Sequence, residues 1–448
     1  MSKTVAQKSI KLNFIMNVLL TISSFVFPLI SFPYVSRILQ PEGTGRVSFA
    51  ISFISYFSLF AQLGIPIYGI RACAKVRDNR VELTRTAHEL IFINLITSVI
   101  SYAALAVALI FIEKLKEDRV LFIIVSFTII LNAIGMEWLY KALEQYTYIT
   151  VRSIILKFIA LILMFIVIHD KEDYVLYGGI SIFATSASNI FNMINIYKYI
   201  DLRPVGNYNV KKHLKPIGIF FAMTCATTIY THMDTLMLGF MSTYIDVGYY
   251  NAAIRVKNIL VSIVTSLGTV LLPRVSYYIE HGLYDEFKNI SKKALNFVFI
   301  IATPIMAYFA LYAKECIYFL SGSKYSGSIL PLQLLMPAIL FIGITNILGI
   351  QILVPLGKEK IVLYSVIIGA IVNVVINYLL IPKYVSSGAA IGTVIAEFAV
   401  LIFQYLSMDV EIKKFFKQIN YLKLICALLI GIIGSVWLKV LKINNFSI

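Results

Sequence analysis

Charge is what this sequence has least of. Asp, Glu, Lys and Arg make up 14% of its 448 residues, where a soluble globular chain carries about 25%. So few charges cannot clothe a soluble domain of this length, and that class is excluded. Cysteine is scarce too. Cys73, Cys225, Cys316 and Cys426 are scattered without a CxxC pair or a neighbouring histidine, which removes a zinc site and a disulfide framework and leaves inert apolar residues. No HExxH, GxSxG or credible carboxylate pair occurs, and Gly357-Lys358 lacks the rest of a phosphate-binding loop. No catalytic residue, metal, cofactor or ATP-driven pump is therefore expected.

Apolar residues fill the space instead, at 59% of the chain. Runs of roughly 20 such residues match a hydrocarbon core about 30 Å thick. Thirteen are expected, near 14–36, 46–68, 89–112, 119–140, 149–168, 174–197, 214–238, 247–272, 294–314, 327–354, 360–381, 388–407 and 421–441. The fold class is thus an all-α integral membrane protein. The basic, polar stretch Met1–Asn13 has no small-residue cleavage site after a short apolar core, so the first run reads as a retained helix and not a signal peptide.

The net charge of +16 does not point to nucleic acid. Lys and Arg concentrate in the loops on the N-terminal side of the spans, including the longest polar breaks, Arg71–His88, Asp201–His213, Arg274–Lys293 and Asp409–Asn420. The positive-inside rule then places the N-terminus in the cytoplasm and, after thirteen spans, the C-terminus outside.

The break at Asp201–His213 separates six runs from six, giving expected units at 1–203 and 204–409, with 410–448 as an additional helix. A faint repeat agrees. Gly45 and Ala50 match Gly248 and Ala253 at a constant offset of 203, and Leu63-Gly64 matches Leu267-Gly268 at 204. An even number of spans gives both halves one orientation, hence parallel repeats about an axis along the membrane normal.

Arg255 and Lys257 fall inside the eighth run. A cation at bilayer depth costs roughly 2.5–3.5 kcal/mol on insertion scales, which makes it a functional-site hypothesis. Helical spacing separates the two. Asn251, Arg255, Asn258, Ser262, Ser266 and Thr269 share one stripe, while Lys257 points nearly the other way. Other stripes are Asn13, Asn17, Ser24 and Ser31; Ser48, Ser52, Ser55 and Gln62; and Thr224, Thr228, Thr231 and Thr235. These four helices are expected to line a cavity. Comparable stripes in run three (Asn94, Thr97, Ser98, Ser101) and run six (Ser181, Thr185, Ser188, Asn192) show that small polar residues also serve simply to pack helices in lipid. Asp234 is expected to pair with Arg255 or Lys257 or to titrate; His232 is either a hydrogen-bonded core residue or a proton carrier, and Glu397 either a buried protonated or paired carboxylate or a proton or sodium site. Glu137, Arg152 and Lys157 lie near span ends, where snorkelling is the expectation.

Three passages resemble the bacterial polysaccharide-unit flippases, the Wzx-type transporters grouped with the MATE antiporters and the lipid II flippase. They are RILQPEGTGRVSFA (Arg37–Ala50), EWLYKALEQYTYITVRSIILK (Glu137–Lys157) and GAAIGTVIAE (Gly388–Glu397). One departure is Gln40, where the family more often has Gly. The resemblance implies a cargo: oligosaccharide repeat units on undecaprenyl diphosphate, moved to the outer leaflet of the bacterial cytoplasmic membrane by alternating access for O-antigen, capsule or related polysaccharide synthesis. Arg255 would then face the anion, with Asn251, Asn258, Asn17, Ser24, Ser55 and Gln62 serving the sugar. Asp234, His232, Lys257 and Glu397 would serve ion coupling or pairing. Implied partners are membrane lipids, a proton or sodium ion, and a polysaccharide polymerase with its chain-length regulator. Two alternatives stay open: a cation-coupled drug antiporter, which calls for an acidic cavity, and a membrane glycosyltransferase or polymerase, which calls for a larger outer loop.

Overall fold

The computed structural model describes residues 10–417 and 419–440, and among them every regular element is helical. In chain order these are α1 (Ile10–Gln62), α2 (Ile65–Lys75), α3 (Arg80–Phe111), α4 (Glu113–Lys116), α5 (Arg119–Gly135), α6 (Glu137–Ala142), α7 (Tyr146–Val167), α8 (Tyr174–Ser186), α9 (Ser188–Asn195) and α10 (Lys211–Met241). They continue as α11 (Tyr244–Glu280), α12 (Tyr284–Leu311), α13 (Ala313–Ser321), α14 (Ile329–Asn346), α15 (Glu359–Leu406), α16 (Val410–Lys417) and α17 (Tyr421–Val440). Each expected apolar run falls on helix. Among the described residues, seven helical stretches are long and apolar enough to cross a membrane. The last residue of the thirteenth run, the first nine residues of the chain, and the side chains of Thr269 and Leu267 lie outside the described residues.

Two expected loops shrink to single residues. The first two runs join into α1, interrupted only at Gln40 (φ 58°, ψ −178°), and runs eleven and twelve join into α15, interrupted at Val385 (φ 52°, ψ −123°). Both dihedral pairs lie in left-handed space that strains any residue with a Cβ. Pro41 directly follows Gln40 and Pro382 precedes Val385 by three, and proline disfavours an uninterrupted helix there. Conversely, run six is not one helix: it breaks at Ala187 between α8 and α9. Run ten ends in a π-helical turn, Ile347–Leu353.

The chain divides into two compact units, one ending at Gly248 and the other beginning at Tyr249. In the first, α1 packs along α7, α3, α5 and α10. Its fully buried side chains include Phe49, Ile54 and Phe122, with Phe49 edge-on to Phe122. A second apolar cluster, with Ile65, Cys73, Leu83, Leu90, Trp138 and Leu139, ties α2 and α3 to α6. Here Gly69 lets the Trp138 ring approach: a Cβ would lie 2.8 Å from it.

The stretch between Asp201 and His213 is no loose linker. Arg80 pairs with Asp201 at 2.8 Å, Arg85 donates to the Gly206 carbonyl at 3.0 Å, and buried Glu89 accepts from the Asn209 N–H, from Lys212 at 2.8 Å and from His213 at 2.7 Å. His213 in turn meets the Tyr68 hydroxyl at 2.8 Å. In the second unit α14 lies between α12 and α15, and α17 leans on α12 through Phe299 and Tyr421.

Candidate functional site

Within the first unit the helices leave a pocket of about 450 Å³, inside the usual range for small-molecule sites. Ser55, Ser58 and Gln62 reach it from α1, Thr128 and Asn132 from α5, Ser181 and Thr185 from α8, and Thr224, Thr228 and His232 from α10. Each contributing helix carries its polar residues three, four or seven apart, so each turns a single stripe inward. The remaining lining is aliphatic: Ile51, Ile54, Leu59, Pro66, Val125 and Ile182, with Gly64 beside them.

No Asp, Glu, Lys or Arg lines this pocket. Several of its polar groups are already oriented. Gln62 donates its amide N–H to Ser58 at 3.0 Å, and Asn132 accepts from Asn189 at 2.9 Å. Ser55, Thr185 and Thr224 back-bond to Ile51, Ser181 and Phe220 at 2.7, 3.0 and 2.9 Å, which leaves their oxygen lone pairs for a further donor. The Thr128 hydroxyl has no protein partner. Such a wall of neutral donors and acceptors between aliphatic patches suits a polyhydroxylated molecule. It offers nothing to a cation beyond neutral oxygens.

The expected site residues divide. Ser55, Gln62 and His232 meet at the pocket, with the expected stripe partners Thr224 and Thr228. Asn17 and Ser24 do not line it. Both are exposed on α1, and Ser24 accepts from Lys157 at 2.9 Å. In α10, Asp234 is buried at 6% exposure. In the second unit, Asn251 and Arg255 are half-buried and Asn258 is exposed, whereas Lys257 and Glu397 are buried. The stripe bearing Arg255 is thus the more accessible side of α11.

Sequence reasoning missed Ser58, Thr128 and Asn132 and left run six outside the four cavity-lining helices, although Ser181 and Thr185 line the pocket. The stripe was visible; what it faced was not. Run three is packing indeed: Asn94 donates to the Ala61 carbonyl at 2.7 Å and Thr97 at 2.5 Å. Snorkelling of Arg152 and Lys157 is overturned, since their exposures are 8% and 9%. Arg152 is held inward by Glu137 at 3.3 Å and by the Ser188 carbonyl, and Lys157 by Ser23 and Ser24. Polar partners on neighbouring helices replace the water that a snorkelling side chain would seek.

Comparison with known proteins decides the family. The model of the polysaccharide biosynthesis protein family matches residues 10–279, more than half of the chain. The chain belongs to that family. A second model, MatE, matches residues 219–379 of this family member. Among curated relatives, a protein of Escherichia coli (strain K12) named for O-antigen transport is 23% identical over 84% of the chain and 91% of its own length. One of Shigella dysenteriae, named likewise, is 26% identical over 85% and 95%. In fold, the chain is similar to the lipid II flippase MurJ in an inward closed conformation, with TM-score 0.70, 16% identity and coverage of 96% of this chain and 94% of that one. It is also similar to an inward-facing multidrug resistance MATE family transporter of the MOP superfamily, at 0.65, 15%, 90% and 99%. The fold of this polysaccharide biosynthesis protein is therefore that of the MurJ and MATE transporters.

Proposed function

We propose that this protein is a flippase for lipid-linked oligosaccharide units, carrying them from the cytoplasmic to the outer leaflet of a bacterial cytoplasmic membrane for surface polysaccharide synthesis. The observation that carries this reading is the neutral, hydroxyl- and amide-lined pocket of the first unit. Sugars are recognised by such groups, and family membership and relatives named for O-antigen transport agree with it. The relatives carry transporter and flippase names, and a transporter needs no catalytic residue.

In this reading the sugar meets Ser55, Gln62, Thr128 and Asn132, and the anionic head of the carrier lipid is met by Arg255 with Asn251 and Asn258. Asp234, His232, Lys257 and Glu397 are the candidates for pairing or for coupling to a proton or sodium ion. Two parallel six-helix repeats, 1–203 and 204–409, rock in alternating access, the helix in 410–448 stands outside them, and the N-terminus is cytoplasmic. A polymerase and a chain-length regulator take up the product. A drug antiporter of the same superfamily is less well supported, because a cationic drug needs a carboxylate and none lines the pocket.

The test is genetic and direct. A strain lacking the gene, supplied with wild-type or Arg255→Ala protein, is scored for surface polysaccharide and for lipid-linked units trapped at the inner leaflet. The reading expects restoration by wild type, and trapping by a variant that is still inserted at normal levels. Normal export by stably expressed Arg255→Ala removes Arg255 from the anion role.

A further inference from the structure

The first half of α1 and helix α7 of the first unit run parallel, in a register kept over most of α7. The Thr150 hydroxyl donates to the Met16 carbonyl at 2.8 Å, Lys157 to Ser23 and Ser24 at 3.0 and 2.9 Å, and Tyr34 to the Ile168 carbonyl at 2.8 Å. From Thr150 to Ile168 such a seam spans about 27 Å at 1.5 Å per residue, the thickness of a hydrocarbon core. Lys157 lies midway along α7, so its ammonium is held at half depth.

Its surroundings are short of negative charge. Lys157 meets two hydroxyls and, among the described residues, no carboxylate within ion-pair distance. The one acid nearby along the helix chain, Glu137, is already shared between Lys141 at 2.8 Å and Arg152 at 3.3 Å. Arg152 is itself buried, and its Nε has no partner. Lys141 and Arg152 therefore share one carboxylate, and none is left for Lys157. A seam that needed only cohesion would be served by the hydroxyls alone, without the desolvation that a buried ammonium suffers. Ser24 lies on the exposed side of α1 with Asn17 and Thr21, so the Lys157–Ser24 contact opens onto accessible space.

We propose that Lys157, held by Ser23 and Ser24, is a mid-membrane station for a phosphate-bearing lipid headgroup. The proposal deepens the flippase reading and rests on it for its ligand, the diphosphate of a polyprenyl carrier. An anion passing between leaflets faces its largest barrier at half depth, where a fixed ammonium replaces lost hydration; Ser23 and Ser24, which accept from Lys157 and donate to the Leu20 carbonyl, hold it in place. Thr21 and Asn17, about one and two turns nearer the start of α1 than Ser24, offer further polar contacts along the same path.

The experiment measures binding of undecaprenyl diphosphate, of phosphatidylglycerol and of neutral undecaprenol to purified full-length protein by native mass spectrometry. It compares wild type, Lys157→Gln, Lys157→Arg and Lys157→His. Undecaprenyl diphosphate affinity is expected to fall about tenfold or more in Lys157→Gln, to stay within about threefold in Lys157→Arg, and to leave undecaprenol unchanged. Lys157→His should bind at pH 6 and lose binding at pH 8, following imidazole protonation. That variant also covers the case in which Lys157→Gln fails to fold. Equal affinity in Lys157→Gln and wild type, or pH-independent binding by Lys157→His, overturns the station and leaves Lys157 as a clip between α1 and α7. Lys157-dependent binding of phosphatidylglycerol without binding of undecaprenyl diphosphate keeps a phosphate station and refutes the lipid-linked cargo.

Discussion

Gly45 and Gly248 meet in a reciprocal contact. A Cβ built on Gly45 would lie 1.8 Å from the Tyr244 carbonyl oxygen, and one built on Gly248 would lie 2.0 Å from the Pro41 carbonyl oxygen. Each glycine touches the residue four before the other, and both pairs are related by the same shift of 203 in sequence. A contact in which i meets j and the counterpart of i meets the counterpart of j is the local signature of a two-fold relation.

Alanine at either position is therefore expected to be costly. The obstructing atoms are backbone and cannot rotate away, so helix must move. Gly45→Ala and Gly248→Ala should each destabilise by about 3 kcal/mol, read as a large drop in the detergent-solubilised melting temperature. An unchanged melting temperature for both would show that the close approach is not maintained.

Gln40 should behave in the opposite way. Its φ of 58° with ψ of −178° belongs to a region that only glycine occupies freely. Gln40→Gly, which restores the residue commoner in the family passage it resembles, should stabilise by about 1 kcal/mol. Thermal melting checks this, and a destabilised Gln40→Gly would mean that the Gln40 side chain contributes more than its backbone costs.

Glu89 is the clasp that holds the strap between Asp201 and His213. Its carboxylate side chain is fully buried and receives Lys212, His213 and the Asn209 N–H. Glu89→Gln removes the charge facing Lys212 and should cost about 2 kcal/mol locally, less than a fully buried pair because Lys212 is part-exposed. Deuterium uptake in the peptide covering 201–213 should rise while that of α5 stays put. Unchanged uptake there would locate the strap's hold in the Arg80 and Arg85 contacts instead.

Thr128 offers a mild probe of the pocket, since its hydroxyl has no protein partner. Thr128→Val keeps the shape and removes one hydrogen-bonding group, so export should slow roughly three- to tenfold at unchanged expression and stability. Full-rate export by Thr128→Val would mean that cargo does not contact this wall.

How much of this was legible in the sequence follows from what each signal measures. Apolar run length reports burial in lipid, so the helical class was readable and each run fell on helix. Run length says nothing of single backbone residues, so the breaks at Gln40 and Val385 were read as loops. Stripe periodicity shows which residues share a helix face and not what that face meets. Hence Ser55 and Gln62, expected at a cavity, line the pocket, Ser181 and Thr185 line it without having been expected there, and Asn94 and Thr97, with the same spacing, bond to a neighbouring backbone carbonyl. The cations at 152 and 157 were misplaced for a related reason. Snorkelling is judged from distance to a span end, while the hydroxyls of Ser23 and Ser24 come from a helix more than a hundred residues away.

The central claim is that the protein moves lipid-linked oligosaccharide across a bilayer, using the pocket of the first unit. The most direct measurement reconstitutes purified protein into proteoliposomes with a fluorescent oligosaccharide-diphosphate-undecaprenyl lipid and follows its accessibility to a membrane-impermeant quencher. The account predicts protein-dependent flipping that Asn132→Ala, which removes a pocket amide, slows while the fold is retained. Flipping no faster than in empty liposomes, with folded wild-type protein and a cognate glycan, would contradict it.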